Sequence, residues 1–121
     1  MIIPEIRSIT SPDLGADTLP ADPKDCRILI ELTIGPKGQA GEEIFSFEVV
    51  TPEYLRHEEI NQCGRGLLIT NEFSWSVVKH SAERLLAHAS RKTWNEVAAE
   101  LNKELHWEFE NYRPYEKDKN G

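Results

Sequence analysis

The residues best suited to metal binding or nucleophilic attack lie close together, between positions 57 and 63. The segment His57-Glu58-Glu59 resembles the start of a helical zinc motif. The second histidine of that motif, due four residues later, is absent, and Asn61 stands in its place. Cys63 with His57 suggests a thiol nucleophile and its base, but the sequence offers no third group to orient the base. His80 and His88 are too far apart to hold one ion from a single helix. We therefore predict no metal ligands and no catalytic residues.

A glycine-rich segment is the second candidate for chemistry. Gly35-Pro36-Lys37-Gly38 matches the GxxG pattern of some RNA-binding loops. Such a loop should join two helices, whereas the residues on either side of this one alternate as strands do. The segment also lacks the Lys-Ser or Lys-Thr pair of a nucleotide-binding loop. We predict a turn there, with no nucleotide and no other cofactor.

Paired carboxylates are the third candidate, and they occur at Glu42-Glu43, at Glu58-Glu59 and at Glu108 with Glu110. A general acid needs an apolar pocket that raises its pKa. Adjacent glutamates in hairpins and short helices are usually solvated. The pairs therefore do not favour an enzyme over a binding protein.

The charge of the chain is distributed unevenly. The net charge is −7 over 121 residues. Residues 1–60 carry 12 acidic and 5 basic side chains, and residues 61–121 carry 9 of each, so the whole excess belongs to the first half. Phosphate contacts require the opposite sign, which argues against nucleic acid as the partner. An acidic surface suits a cationic partner, although it also has the simpler role of keeping the chain soluble.

The N-terminus and the cysteines indicate the compartment. No apolar run approaches the roughly 20 residues of a membrane span. Residues 1–5 have neither the basic start nor the apolar core of a signal peptide. Cys26 and Cys63 lie far apart and should stay reduced. We expect a cytoplasmic protein that does not associate with membranes.

The first half of the chain predicts strands. Residues 2–9 form a first strand, and the proline- and aspartate-rich segment 11–25 is a long loop. Residues 27–34 and 43–50 alternate apolar and polar side chains with a period of two. The glycine-rich turn between them makes this pair an antiparallel hairpin.

The second half predicts helices between shorter strands. Thr51-Pro52-Glu53 is a helix start, and residues 67–70 form a short strand. One apolar stripe marks a helix over 74–89, and a capping box at Thr93-Trp94-Asn95-Glu96 opens another. The segment 106–110 alternates as a last strand. We therefore predict an α+β fold: an antiparallel sheet of four to five strands with two amphipathic helices packed on one face. We expect a single domain over residues 1–112 and a polar C-terminal tail over residues 113–121.

The order of these motifs is similar to that of a known family. The segments 34–38, 41–55, 64–69, 93–98 and 107–112 together resemble the bacterial Immunity protein 8 family. The resemblance implies an antidote in a polymorphic-toxin or contact-dependent inhibition system, which binds the toxin domain of a cognate effector. It transfers no catalytic residues, and it does not fix the residues that contact the toxin.

The charge distribution then suggests where a toxin would bind. Many effector toxins are nucleases with basic surfaces, so we expect the contact on the acidic first half. The candidate partner-binding residues are Asp13, Asp17, Asp22, Asp25, Glu31, Glu42, Glu43 and Glu48. Two alternatives stay open: a small enzyme or metabolite-binding domain, marked by a polar pocket near His57, Cys63 or His80, and an adaptor for another protein. The sequence leaves the toxin and the oligomeric state undetermined.

Overall fold

The computed structural model describes residues 1–61 and 64–109, so Cys63, Glu110 and the tail predicted for residues 113–121 lie outside it. The described elements follow one another as β1 (Pro4–Thr10), β2 (Arg27–Pro36), β3 (Glu43–Val50), α1 (Pro52–His57), β4 (Leu67–Ile69), α2 (Trp75–Leu86), α3 (Trp94–Leu101) and β5 (His106–Trp107). The predicted α+β class is confirmed.

The hairpin of β2 and β3 forms the centre of the sheet because both strands have one apolar face. Their pairing is antiparallel and runs without interruption from Arg27 opposite Val50 to Ile34 opposite Glu43. The inward residues are buried in the core: Ile28, Ile30, Leu32, Ile34, Phe45, Phe47 and Val49. The inward face of the hairpin and the bounds of β3 are as predicted, whereas β2 continues to Pro36, two residues into the predicted turn.

The sheet is mixed, whereas we predicted it to be antiparallel throughout. Its strand order is β1-β2-β3-β4, and β5 pairs with β3 beside β4. β1, β2, β3 and β5 pair antiparallel, but β4 lies parallel to β3, with Glu48 opposite Leu67. The chain after β3 passes through α1 and then pairs with the last three residues of β3, where β4 runs in the same direction.

β1 contains an irregularity that the sequence pattern does not reveal. Its register with β2 shifts between Ile6 and Ser8, which leaves Arg7 as an extra residue. Pro4 is the first residue of the strand, a position where a missing backbone N–H is tolerated. Ile2 does not belong to β1 and forms an isolated bridge with Arg91 instead.

The longer helices α2 and α3 each start at a capping residue, and the cap of α3 is the predicted one. The Ser74 hydroxyl accepts from the backbone N–H of Val77 at α2, and Thr93 and Glu96 form the complete capping box of α3. Their apolar stripes bury Val78, Ala82 and Leu86 of α2, and Val97, Ala98 and Leu101 of α3, in the same core as the inward face of the hairpin. Trp75, Trp94 and Trp107 are partly buried against this core.

Candidate partner-binding face

The sheet has a second face, which points away from the helices. We define this outer face by eight residues. Six alternate with the buried residues of the hairpin, and the other two lie opposite them on β1 and β5. The eight are Thr10, Leu29, Glu31, Thr33, Ile44, Ser46, Glu48 and His106. None of these side chains is buried. The face combines carboxylates, hydroxyls and aliphatic groups, which offer both charge and hydrogen-bonding groups to a partner.

Glu31 lies in the middle of the outer face. It is opposite Thr10 on one side and Ser46 on the other, and Ser46 is in turn opposite His106. The Glu31 side chain is half-buried, and within residues 1–61 and 64–109 it has neither a hydrogen bond nor an ion pair. Its negative charge is therefore available to a partner.

Glu48, the second carboxylate of the outer face, is already paired. Its oxygens accept from the Nε and Nη2 groups of Arg27 at 2.9 and 2.7 Å, in a two-pronged ion pair. The hydrogen bond from Arg27 holds the pKa of Glu48 below its ordinary value. The charges of Glu48 and Arg27 cancel, so Glu31 is the uncompensated acid of this face.

Glu43 and Glu42, neighbours in the sequence, lie in different environments. Glu43 faces inward at the end of the core, where its Oε1 atom accepts from the indole N–H of Trp94 at 2.7 Å and of Trp107 at 3.0 Å. Glu42 is exposed at the hairpin tip and lies 3.5 Å from Arg7. Glu43 therefore has a structural role in holding α3 and β5 to the sheet, and Glu42 is the one exposed to solvent.

Arg7 organises the hairpin tip, a role that sequence reasoning missed. Its Nη2 group donates to the backbone carbonyls of Pro36 and Gln39 at 2.9 and 2.8 Å. The guanidinium lies over Gly35, where an added Cβ atom would overlap both Arg7 and the carbonyl of Gly41. The bulge in β1 brings Arg7 to this position, and a bulge has no clear signal in a single sequence.

The four aspartates of the loop before β2 do not share one surface role. Asp13 accepts from the backbone N–H of Leu29 at 2.9 Å, and Asp22 accepts from that of Lys24 at 3.1 Å. Asp25 lies 2.6 Å from the ring of His57. Asp17 has a positive φ of 58° and lines a cavity with Trp75 on the helical side. The loop therefore uses Asp13, Asp22 and Asp25 to hold its own conformation.

His57 helps to hold the loop before β2 through its contact with Asp25. Its Nε2 atom contacts Asp25, and its Nδ1 atom lies 3.1 Å from Glu58. The hydrogen bond to Asp25 raises the pKa of His57, and the charges of both carboxylates add to the effect. The ring is thus held by an ion pair, and no group of three or more possible metal ligands occurs in the described part of the chain.

Cys26 is the cysteine that the structure describes, and it is a poor nucleophile. Its side chain is buried. Burial raises the pKa of the thiol, and the nearby Asp22 and Asp25 raise it further. The proton is therefore held more tightly than in a free cysteine, which argues against thiol chemistry at this position.

These features define a small α+β protein whose outer sheet face is open among the described residues and carries the unpaired Glu31. A family model, Immunity protein 8, matches residues 4–112, so the chain belongs to this family of immunity proteins for toxins. Neither a curated protein nor a solved structure matches the chain significantly. Among the described residues, no helix is long and apolar enough to cross a membrane.

Proposed function

We propose that this chain neutralises the toxin domain of a cognate effector by forming a one-to-one complex through its outer face. The single observation that carries the site is the unpaired carboxylate of Glu31, in the middle of a sheet face that none of the described helices covers. Family membership supplies the toxin as the class of partner.

The chemistry of the outer face suits a basic partner. A lysine or arginine of the toxin that reaches Glu31 would form a charge-assisted hydrogen bond. The hydroxyls of Thr10 and Ser46 on either side provide further hydrogen-bonding groups, and the aliphatic side chains of Leu29 and Ile44 exclude water around the contact. A nuclease is the toxin class that fits best, because a surface that binds phosphate is cationic.

Inhibition of this kind requires no catalysis by the inhibitor. Membership of an immunity-protein family favours a non-enzymatic role. The chain would act in the cytoplasm of the producing cell, where it occupies the surface that the toxin uses. The net charge of −7 would speed the encounter with a cationic toxin.

A charge reversal on the outer face tests the proposal. The toxin partner is first identified as the product of the gene next to the one that encodes this chain. Its affinity is then measured by calorimetry for the wild type, for Glu31→Lys and for the control Glu83→Lys. Glu83 is exposed on α2, on the other side of the sheet, so the two variants have the same net charge.

We expect Glu31→Lys to weaken toxin binding at least about tenfold, equivalent to about 1.4 kcal/mol. Glu83→Lys should stay within about threefold of the wild type, because it changes only long-range steering. Equal affinities for the two variants would remove the outer face as the contact surface. Absence of any complex with the neighbouring toxin would contradict the proposed function itself.

A further inference from the structure

A groove runs along the helical side of the molecule, opposite the outer face. A cleft of about 440 Å³ lies between α2, β4 and the end of α3, and a second cleft of about 260 Å³ continues it. Arg84, Leu85, His88 and Glu104 line both clefts, so the two form one continuous groove. We call it the helical groove.

The helical groove has an apolar floor that none of the described elements covers. Leu85 of α2 and Leu68 of β4 are partly buried, and Leu105 and Phe47 close the groove beneath them. Ser81 of α2 and Ala87, the C-cap of that helix, are small residues beside this floor, so another helix could approach closely. The partly exposed Leu85 and Leu68 leave the floor accessible to such a helix.

The two walls of the helical groove carry opposite charges. Arg84 lies on the α2 wall, and Glu104 lies on the wall that follows α3. Across the described residues, neither side chain has a hydrogen bond or an ion pair, with each other or with any other group. Glu100, on the same wall as Glu104, is instead held by Lys103 at 2.9 Å and by Arg91 at 3.1 Å.

We propose that the helical groove is the interface between two copies of this chain related by a twofold axis. A twofold axis places the same patch on both copies, so a contact from one residue to a second is repeated in reverse. Arg84 of each copy would then face Glu104 of the other, and the two charges that are unpaired within one chain would both be paired. The leucine floors would be buried between the two α2 helices.

The distribution of charge favours this arrangement over other self-contacts. The excess of seven negative charges belongs to residues 1–60, whereas residues 61–121, which supply both walls, have a net charge of zero. Contact through the helical groove therefore keeps most of the negative excess away from the interface and directs both outer faces away from it. Contact through the outer faces would bring two copies of the unpaired Glu31 together, which is unfavourable.

A second copy also fits the helical groove better than an unrelated helix. An unrelated helix would need a base and an acid spaced to match the two walls. This chain already carries both, at positions that are complementary by symmetry. The proposal does not depend on toxin binding, because it concerns the opposite side of the sheet.

Analytical ultracentrifugation of the full chain over about a hundredfold range of concentration tests the proposal. The wild type should reach twice the chain mass of 13.8 kDa. R84E and E104R should each weaken the dimer at least about tenfold, because each puts like charges opposite one another twice. The double variant R84E/E104R exchanges the two charges and should restore dimerisation to within about threefold of the wild type.

K79E is the matched control. Lys79 lies on the same helix but lines a different cavity, with Trp75 and the loop before β2. The control should dimerise as the wild type does, and circular dichroism checks that every variant is folded. A wild type that remains monomeric at all concentrations, or a double variant that dimerises no better than the single ones, would overturn the proposal. The proposal would also be overturned if the wild type were monomeric and R84E lowered its affinity for the toxin, because the groove would then be a contact surface for the toxin.

Discussion

The carboxylate of Glu43 lies 2.7 Å from the indole nitrogen of Trp94, which connects the end of the hairpin to the first turn of α3. The same oxygen accepts from Trp107 of β5 at 3.0 Å. One side chain thus satisfies two partly buried donors from two different elements.

The first prediction concerns this acceptor. Glu43→Ala removes the partner of both indole N–H groups and should lower the free energy of unfolding by about 1 to 3 kcal/mol, as for other polar groups left unsatisfied. Glu43→Gln keeps a carbonyl oxygen and should lose less. The matched control is Glu42→Ala, which removes an exposed carboxylate 3.5 Å from Arg7 and should change stability by less than about 0.5 kcal/mol. Urea titrations that gave equal losses at the two positions would contradict this assignment.

The contrast between Glu42 and Glu43 shows which features can be predicted from the sequence and which cannot. Alternation predicted both strands of the hairpin, and the helix caps at Thr93 and Glu96 were recognisable because they depend on neighbouring residues. From the sequence, Glu42 and Glu43 were both expected to be solvated, because the partners of Glu43, Trp94 and Trp107, are distant along the chain.

Other features were hidden for the same physical reason. The parallel direction of β4 depends on where the chain goes after α1, and the position of Arg7 depends on a one-residue shift in register. The net charge of residues 1–60 can be counted from the sequence, but it does not distinguish the unpaired Glu31 from the paired Glu48. Long-range pairing decides which charges remain available, and a single sequence does not encode it in any short motif.

The second prediction concerns Gly66, at the start of β4. Its φ is +75°, and an added Cβ atom would overlap the imidazole of His106 on β5. Gly66→Ala should therefore lower the free energy of unfolding by about 1 to 2 kcal/mol, mainly through backbone strain at this positive φ, because the exposed His106 ring can turn aside. Gly64→Ala is the control, because its Cβ atom would meet nothing within 4 Å. If chemical denaturation gave the two variants the same midpoint, the strained conformation of Gly66 and its close contact with His106 would be wrong.

The third prediction is a pH dependence that arises from His57. The hydrogen bond to Asp25 favours the protonated ring, so the pKa of His57 in the folded protein is above its unfolded value of about 6.5. The contribution to stability is complete below that unfolded value and is lost as the pH rises through the folded pKa. The difference in unfolding free energy between the wild type and His57→Gln should therefore shrink from acidic to alkaline pH.

Asp25→Asn is the control for this effect, because it removes the largest cause of the raised pKa. In that background the His57→Gln difference should vary much less with pH, leaving only the weaker influence of Glu58. Thermal unfolding of the wild type, the two single variants and the double variant, measured from acidic to alkaline pH, tests this expectation. If the difference instead grew with pH in the wild-type background, the Asp25–His57 ion pair would not stabilise the folded protein as predicted.

The fourth prediction separates net charge from local pairing on the outer face. Arg27 and Glu48 form an ion pair whose two charges cancel, and Glu31 is unpaired among the residues that the structure describes. Removing both members of the pair leaves the net charge unchanged, whereas Glu31→Ala removes one negative charge from the centre of the face.

If electrostatic steering by Glu31 guides a basic toxin, Glu31→Ala should lower the association rate severalfold at low salt. Its effect should fade as the ionic strength rises and the screening length shortens to about 8 Å. Arg27→Ala/Glu48→Ala should change the rate less at every salt concentration, and stopped-flow binding compares the two directly. A double variant that slowed association as much as Glu31→Ala, with the same salt dependence, would show that the whole face and not the unpaired carboxylate directs the toxin.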